Sequence, residues 1–410
     1  MVQSTENISF DNTQFAFAYK SDKELKKAKF LFASMGKAWL VKLGTRVTPW
    51  AVKWHLPFVK PIVRNTIFAQ FVGGETLAQT AKVADKLSEF NVKVILDYGV
   101  EGKEGEANFD HATDEFIRVI DYAATQSNIP FMSIKVTGFA RFALLEKMDE
   151  TMKNAEGRLM KRYAEAIENL TTNEKQEWQR VEARMRKICT VSSQKNIGVL
   201  VDAEETWIQD PVDALTIVVM DELNKDKCTV YNTVQLYRHD RLQFLYDMHE
   251  AAEQRGFILG AKLVRGAYME KERKRAEEKN YPSPIQASKE DTDNDYNKAV
   301  AFCVEHLKEI ALIVASHNEY SNILTTRLLQ QKNLPLNHPH VHFSQLYGMS
   351  DNITFNLAKA GCSVSKYLPF GPIGDVVPYL MRRAQENSSV SGQTGRELGL
   401  IEKEMERRKI

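Results

Sequence analysis

Arg382 and Arg383 stand side by side in the stretch Pro378-Tyr379-Leu380-Met381-Arg382-Arg383-Ala384-Gln385-Glu386-Asn387. A guanidinium is a planar fork of donors, and a pair of them grips a carboxylate in a fixed orientation, which lysine does less well. Adjacent helical residues project about 100° apart, so such a pair is poorly suited to a single i,i+4 surface bridge. Taken alone, a solvated basic patch with Glu386 pairing back to Arg382 or Arg383 explains the stretch better. Its company alters that balance. Lys135, Asp202, Gln235, Lys262 with Arg265, Ser316-His317-Asn318, Gln345-Leu346 and Tyr367 each fall at or beside the end of a short apolar run. Singly, each has a bland explanation: Lys135 and Asp202 as a buried pair, His317 as a turn cap, Lys262 as a snorkelling chain.

The elements that must position them are eight β-branched runs: 92–96, 131–136, 197–201, 229–234, 257–264, 311–315, 340–343 and 364–368. Most precede a helical pattern, and continuous apolar runs suit strands buried on both faces. Alternating β and α implies a parallel sheet, and eight repeats from residue 75 onward predict an α/β fold, a (β/α)8 TIM-like barrel. In that fold the chemistry belongs to the C-terminal strand ends. A ring of Lys, Asp, Arg, His and Gln there suits a large anionic, polar ligand with an apolar plane, such as a flavin dinucleotide. Gly371 and Pro372 end the last strand, and Asp375 is the predicted N-cap of the arginine helix.

No Gly-x-Gly-x-x-Gly follows a strand; Gly99, Gly102 and Gly105 have the wrong spacing for a dinucleotide fold. His338, His340 and His342 alternate, but they occupy the beginning of a strand, the wrong end of a barrel, so no metal ligands are assigned. Residues 148–195 carry apolar positions at Leu159, Tyr163, Ile167, Leu170, Trp178, Val181, Met185 and Ile188. Their spacing predicts one or two inserted surface helices, broken at Thr171-Thr172-Asn173. Residues 401–410 read as a charged helical end. The resulting division is a helical, basic region over 1–74, the barrel over 75–395 and a tail over 396–410.

The 410-residue chain carries a net charge of +1, which argues against nucleic acid as a partner. Its four cysteines are far apart, without metal-ligand spacing, which points to reduced thiols in a cytoplasm-like compartment. The N-terminus shows no apolar signal core, and no run approaches the ~20 apolar residues of a membrane span. Residues 1–20 read as a loosely ordered start. From Leu25 to Asn65 there are nine Lys or Arg, no Asp or Glu, and Trp39, Trp50 and Trp54. Pro49, Pro57 and Pro61 are expected to cut this stretch into short helices. A basic, Trp-bearing amphipathic stretch either lies on an anionic membrane or wraps the protein and buries its tryptophans; both readings stay open.

The stretches Lys262-Leu263-Val264-Arg265-Gly266-Ala267-Tyr268, Tyr367-Leu368-Pro369-Phe370-Gly371, Pro378 to Ser389, Val201-Asp202-Ala203-Glu204-Glu205 and Leu96-Asp97-Tyr98 together resemble proline dehydrogenase, over roughly 67–395 and in order. The resemblance is to the stand-alone enzymes more than to the bifunctional bacterial ones. It implies an FAD enzyme on a distorted (β/α)8 barrel, oxidising L-proline to Δ1-pyrroline-5-carboxylate. It also implies that Arg382 and Arg383 hold the substrate carboxylate. Lys135 and Asp202 would line the pocket and order that pair, and Tyr268, Leu346 and Tyr367 would pack around the ring. Ala203, Gln235, Lys262, Arg265, Gly266, Ala267, Ser316, His317 and Glu386 would contact the flavin, with Asp202 and Lys262 nearest the chemistry. Many bacterial relatives carry Arg at the place of Lys262 and Lys at that of Arg265, and Thr where Ser316 stands.

The chemistry agrees with the residue types. Oxidation beside a ring nitrogen needs a neutral amine, an electron sink and fixed geometry rather than a nucleophile. Without a nicotinamide site the electrons need another acceptor, for which a quinone at a membrane contacted through 25–65 is the expectation. Rival functions are oxidation of 4-hydroxyproline, a non-catalytic barrel that binds a metabolite or membrane, and a metal-dependent hydrolase, which lacks convergent His and Asp ligands.

Overall fold

The computed structural model describes residues 8–54, 56, 58–99, 104–389 and 393–410. Gly102 of the glycine series and residues 1–7 lie outside them, as do the side chains of Ser388 and Ser389. The eight strands form a closed barrel in sequence order, and β1 with β8, β2 with β3, β3 with β4, β4 with β5, β5 with β6 and β7 with β8 pair in parallel. They are β1 (Lys93–Tyr98), β2 (Phe131–Ile134), β3 (Gly198–Val201), β4 (Val230–Gln235), β5 (Leu259–Val264), β6 (Ile310–Ala315), β7 (Val341–Leu346) and β8 (Val364–Phe370). β3, β4 and β8 are buried along their whole length. Strands hidden on both faces lose the alternating pattern, which is why the runs read as continuous. Where predicted and observed limits differ, the difference is largest at β7, which ends three residues later than expected. It runs on through the polar residues Ser344-Gln345, at which an apolar-run reading stops.

Two compact units divide the chain. One comprises 1–100 and 343–410, the other 101–342. In the first unit the N-terminal segment is more ordered than its composition suggests. Phe10, Ala16, Phe17 and Tyr19 are buried, and Tyr19 stacks on Phe355 with ring centroids 4.4 Å apart. Too short to show a period, that segment is held by burial and not by propensity. Helix Asp22–Met35 starts on a capping box made by Ser21 and Glu24. Pro49 does not break the next helix, Ala38–Lys53, but lies inside it. An interior proline costs about 3 kcal/mol, and burial of Val41, Ala51 and Val52 is there to offset it. That buried side packs against the arginine helix, Ile373–Ser389. Because this helix begins at Ile373, Asp375 lies in its first turn and is not its N-cap, though a carboxylate there still complements the helix dipole.

In the second unit the insertion is three helices: Phe142–Asn154, Leu159–Glu168 and Thr172–Lys195. Thr171 and Glu174 form the capping box at the expected break. Tyr163, Trp178, Val181, Met185 and Ile188 are buried, and the Trp178 indole donates to the Tyr163 hydroxyl at 2.9 Å. Gly260 in β5 is required by close approach. A Cβ there would lie 2.2 Å from the Val230 carbonyl oxygen.

Candidate active site

Within the second unit the predicted residues fall on successive strand ends. Lys135 directly follows β2, Asp202 directly follows β3, Gln235 closes β4, Arg265 follows β5, and Ser316 and His317 follow β6. Lys262 is not at an end; it lies inside β5, with its side chain 7% exposed. Burying an ammonium that deeply requires a partner, and Asp202 supplies it, with Lys262 Nζ 2.5 Å from Asp202 Oδ1. Asp202 therefore pairs with Lys262 as well as standing beside the Lys135 segment. Gln235 is oriented on both sides: its Nε2 donates to the Glu204 carbonyl at 2.7 Å, and its Oε1 accepts from Arg238 Nη1 at 3.2 Å.

Arg265 forms an ion pair with Asp293, donates from Nη2 to Ser321 Oγ at 2.6 Å and lies 3.8 Å over the Tyr296 ring. Its Nε is buried without a partner. After it, Gly266 has φ of 90°, a conformation that favours glycine, and Ala267 leads to Tyr268 in a left-handed conformation at the head of helix Met269–Lys279. Ser316 Oγ accepts from the Asn318 backbone N–H at 3.1 Å, and Asn318 caps helix Glu319–Gln331. Ala203 opens the loop in which buried Glu204 accepts from Thr137 at 2.8 Å. Glu204 and Arg238 were missed as partners by the sequence reading. Their side chains reach across the fold, and nothing local in the sequence marks that.

Within the first unit, Tyr367 lies inside β8, not at its end, and is 8% exposed; Leu346 closes β7 rather than following it. Arg383 is buried on the arginine helix, and its Nη2 donates to Glu386 at 2.6 Å. This is the pairing that the surface reading foresaw, but it is not on the surface. Arg383 Nε and the hydroxyl of Tyr379, one turn back, are both buried without a partner, and the guanidinium is 5.2 Å from the Tyr379 ring centroid. Burial pushes the Glu386 carboxyl up despite Arg383 and Arg382, and pushes the Tyr379 phenol up as well. Tyr379 was assigned no role from the sequence; its i,i+4 spacing to Arg383 was the available signal. Arg382 is half-buried on the same helix.

A second buried network went unassigned. Lys366 is fully buried in β8, 2.9 Å from Asp351 Oδ1, and Tyr19 donates to Asp351 Oδ2 at 2.7 Å. Burial lowers the Lys366 pKa, while for Asp351 burial is outweighed by Lys366 and Lys20, which hold its carboxyl below the usual range. This network ties the N-terminal segment to β8. Of the alternating histidines, His342 packs edge-on against Phe131 at 4.9 Å and His340 Nδ1 lies 2.7 Å from the Leu307 carbonyl oxygen. Both are occupied in packing at the strand's start.

The fold, with polar residues on successive strand ends, is of the (β/α)8 barrel class. The particular family follows from the sequence: residues 80–396 match the profile "Proline dehydrogenase", and the chain belongs to that family. It is 33% identical over 376 residues to "Proline dehydrogenase 1, mitochondrial" of Dictyostelium discoideum, covering 84% of this chain and 65% of that one. It is 34% identical over 342 residues to "Carbapenem antibiotics biosynthesis protein CarD" of Pectobacterium carotovorum, covering 83% of this chain and 84% of that one. "Hydroxyproline dehydrogenase" of Xenopus laevis is 29% identical, with 89% of this chain and 80% of that one covered. Among solved structures, proline utilization A from Bdellovibrio bacteriovorus inactivated by N-propargylglycine superposes with a TM-score of 0.69 at 19% identity, over 95% of this chain and 40% of that one. The chain thus spans about two fifths of that structure's length.

Proposed function

We propose that the protein oxidises L-proline to Δ1-pyrroline-5-carboxylate with a bound FAD, and that a quinone-type acceptor takes the electrons onward. The observation that carries this reading is Arg383. A buried guanidinium with an unused Nε, beside a buried and unused Tyr379 hydroxyl, is a donor set built for an anion. It lies on the helix that resembles the family's substrate-carboxylate segment. The residues of the second unit fit a flavin dinucleotide. Arg265 has a buried Nε still to be used, Gly266 has no atom within 4 Å of where a Cβ would stand, and Lys262 and Gln235 are held in single orientations by their partners.

Bound FAD would supply the electron sink for hydride removal from the carbon beside the ring nitrogen. The chain's residues do the rest. Arg382 and Arg383 clamp the substrate carboxylate, and Tyr268, Leu346 and Tyr367 wall the ring. Lys135 and Asp202 complete the polar lining, and Asp202 holds Lys262 in place for the flavin. Gln235, Arg265, Gly266, Ala267, Ser316, His317, Ala203 and Glu386 hold the remaining flavin and phosphate groups. Fixing a small rigid ring at its carboxylate and its plane removes the orientational freedom that would otherwise oppose reaction.

The exposed face of helix Ala38–Lys53 supports a membrane contact. Trp39, Leu43, Val47, Trp50 and Trp54 are exposed at helical spacing, between 45% and 66%, among basic residues. The alternative, that these tryptophans are buried against the protein, does not hold within the described residues. Among those residues no helix is long and apolar enough to cross a membrane. A contact that lies on the surface of an anionic bilayer suits this face.

The test is product analysis. The purified protein with L-proline and a soluble quinone should yield an imino acid two hydrogens lighter by mass spectrometry, with stoichiometric quinone reduction. Turnover of trans-4-hydroxy-L-proline alone would establish the second reading, which the Xenopus relative's name keeps in view; turnover of neither would end both.

A further inference from the structure

Away from every residue assigned above, His249, His306 and Glu309 bring one ligand atom each within 4.8 Å of one another. His249 is on helix Arg241–Arg255, while His306 and Glu309 form the tight turn between helix Lys289–Glu305 and β6. That turn is fixed by the Glu309 and Ile310 backbone N–H groups, which both donate to the His306 carbonyl, at 3.0 and 2.8 Å. His249 is only 5% exposed, and its Nε2 is buried without a hydrogen-bond partner. Its other ring nitrogen, Nδ1, lies 3.7 Å from the exposed Glu253 carboxylate. An imidazole that turns one nitrogen toward a carboxylate and leaves the other dry and unused has the orientation of a metal ligand.

We infer that His249, His306 and Glu309 form a site for a zinc-like divalent transition ion, with water in the remaining position. Two imidazoles and one carboxylate select such an ion over calcium or magnesium, which prefer all-oxygen sites. Ligands at about 2.0–2.1 Å from a tetrahedral ion are about 3.3 Å apart, so the donor atoms must close in by up to about 1.5 Å. Glu309 and His306 are half-buried and can supply that movement by side-chain rotation. The ring stack stands ready around it: His249 and His306 have centroids 4.4 Å apart, and Phe302 lies 5.2 and 4.5 Å from the two. The site lies at the beginning of β6, the end of a barrel where residues serve stability and not chemistry. Its ion would staple helix Arg241–Arg255 to the turn that feeds β6.

The test uses the full chain as purified, stripped with a chelator, then dialysed against zinc chloride and passed through a desalting column. One zinc per chain should remain by elemental analysis, with the melting temperature raised by about 2 °C or more. His306→Gln and Glu309→Gln should each weaken zinc binding about tenfold or more, and His249→Phe, which keeps an aromatic ring in the packed stack, should abolish retention. Visible flavin absorbance and turnover should be unchanged in all three. No zinc retained by the wild type, or retention by His249→Phe and His306→Gln equal to that of the wild type, would show that the cluster is an aromatic stack only.

Discussion

At the scale of single residues, the account rests on donors that are buried before any ligand arrives. Arg383→Ala or Arg382→Ala should weaken proline binding strongly and leave flavin bound. Losing one charge-assisted partner of a desolvated carboxylate costs about 2–4 kcal/mol, or about 30- to 1,000-fold in kcat/KM. A loss below about threefold in both variants would return the pair to the role of a surface patch. Tyr367, 8% exposed in β8, is assigned as the wall opposite the carboxylate. A hydroxyl at C4 of proline would meet it without an assured partner, at a cost of about 1–3 kcal/mol, so proline should be preferred by about ten- to a hundred-fold. Tyr367→Ser should narrow that ratio by admitting hydroxyproline and slowing proline; an unchanged ratio in steady-state assays would release Tyr367 from that role. Lys135, Asp202, Gln235 and Lys262 were legible because each is polar where an apolar strand should continue. Their partners were not: the pairing of Lys262 with Asp202, 60 positions away, leaves no local trace.

Among elements, the helix Gln393–Arg408 was visible only from residue 401 onward, as a charged helical end, because its buried residues, Glu397, Leu400, Ile401 and Glu404, include two acids. Glu397 is enclosed beside Asp351 and Lys366 and accepts from the Ser350 backbone N–H. Burial first, and Asp351 next, push its carboxyl up to about 7. A carboxyl whose folded pKa lies above its unfolded value binds the proton more tightly when folded, so stability falls as pH rises from about 4.5 to about 7. Glu397→Gln should flatten that slope, by on the order of 3 kcal/mol, and leave stability below pH 4.5 little changed. Urea melts across this range provide the check, and parallel curves for variant and wild type would show that Glu397 does not titrate there. The neighbouring proline helix makes the complementary point. Local propensity breaks Ala38–Lys53 at Pro49, and packing keeps it whole.

For the whole molecule, the barrel was readable from eight apolar runs, whereas the order of the N-terminal segment was not, because Tyr19 and Phe17 are held by residues more than 300 positions later. The same scale holds the membrane question. Vesicles with anionic lipid should sediment the protein in a salt-sensitive manner, and Trp39→Ala with Trp50→Ala should reduce binding about tenfold. Equal sedimentation by that double variant would remove the tryptophan face from the account. The central claim is tested most directly by one visible absorbance spectrum of the purified protein, recorded without oxygen before and after L-proline. The account predicts the bands of an oxidised flavin, bleached by L-proline and restored by a quinone. A preparation that is colourless and cannot be reconstituted with FAD, or a flavin spectrum that L-proline leaves untouched, would contradict it.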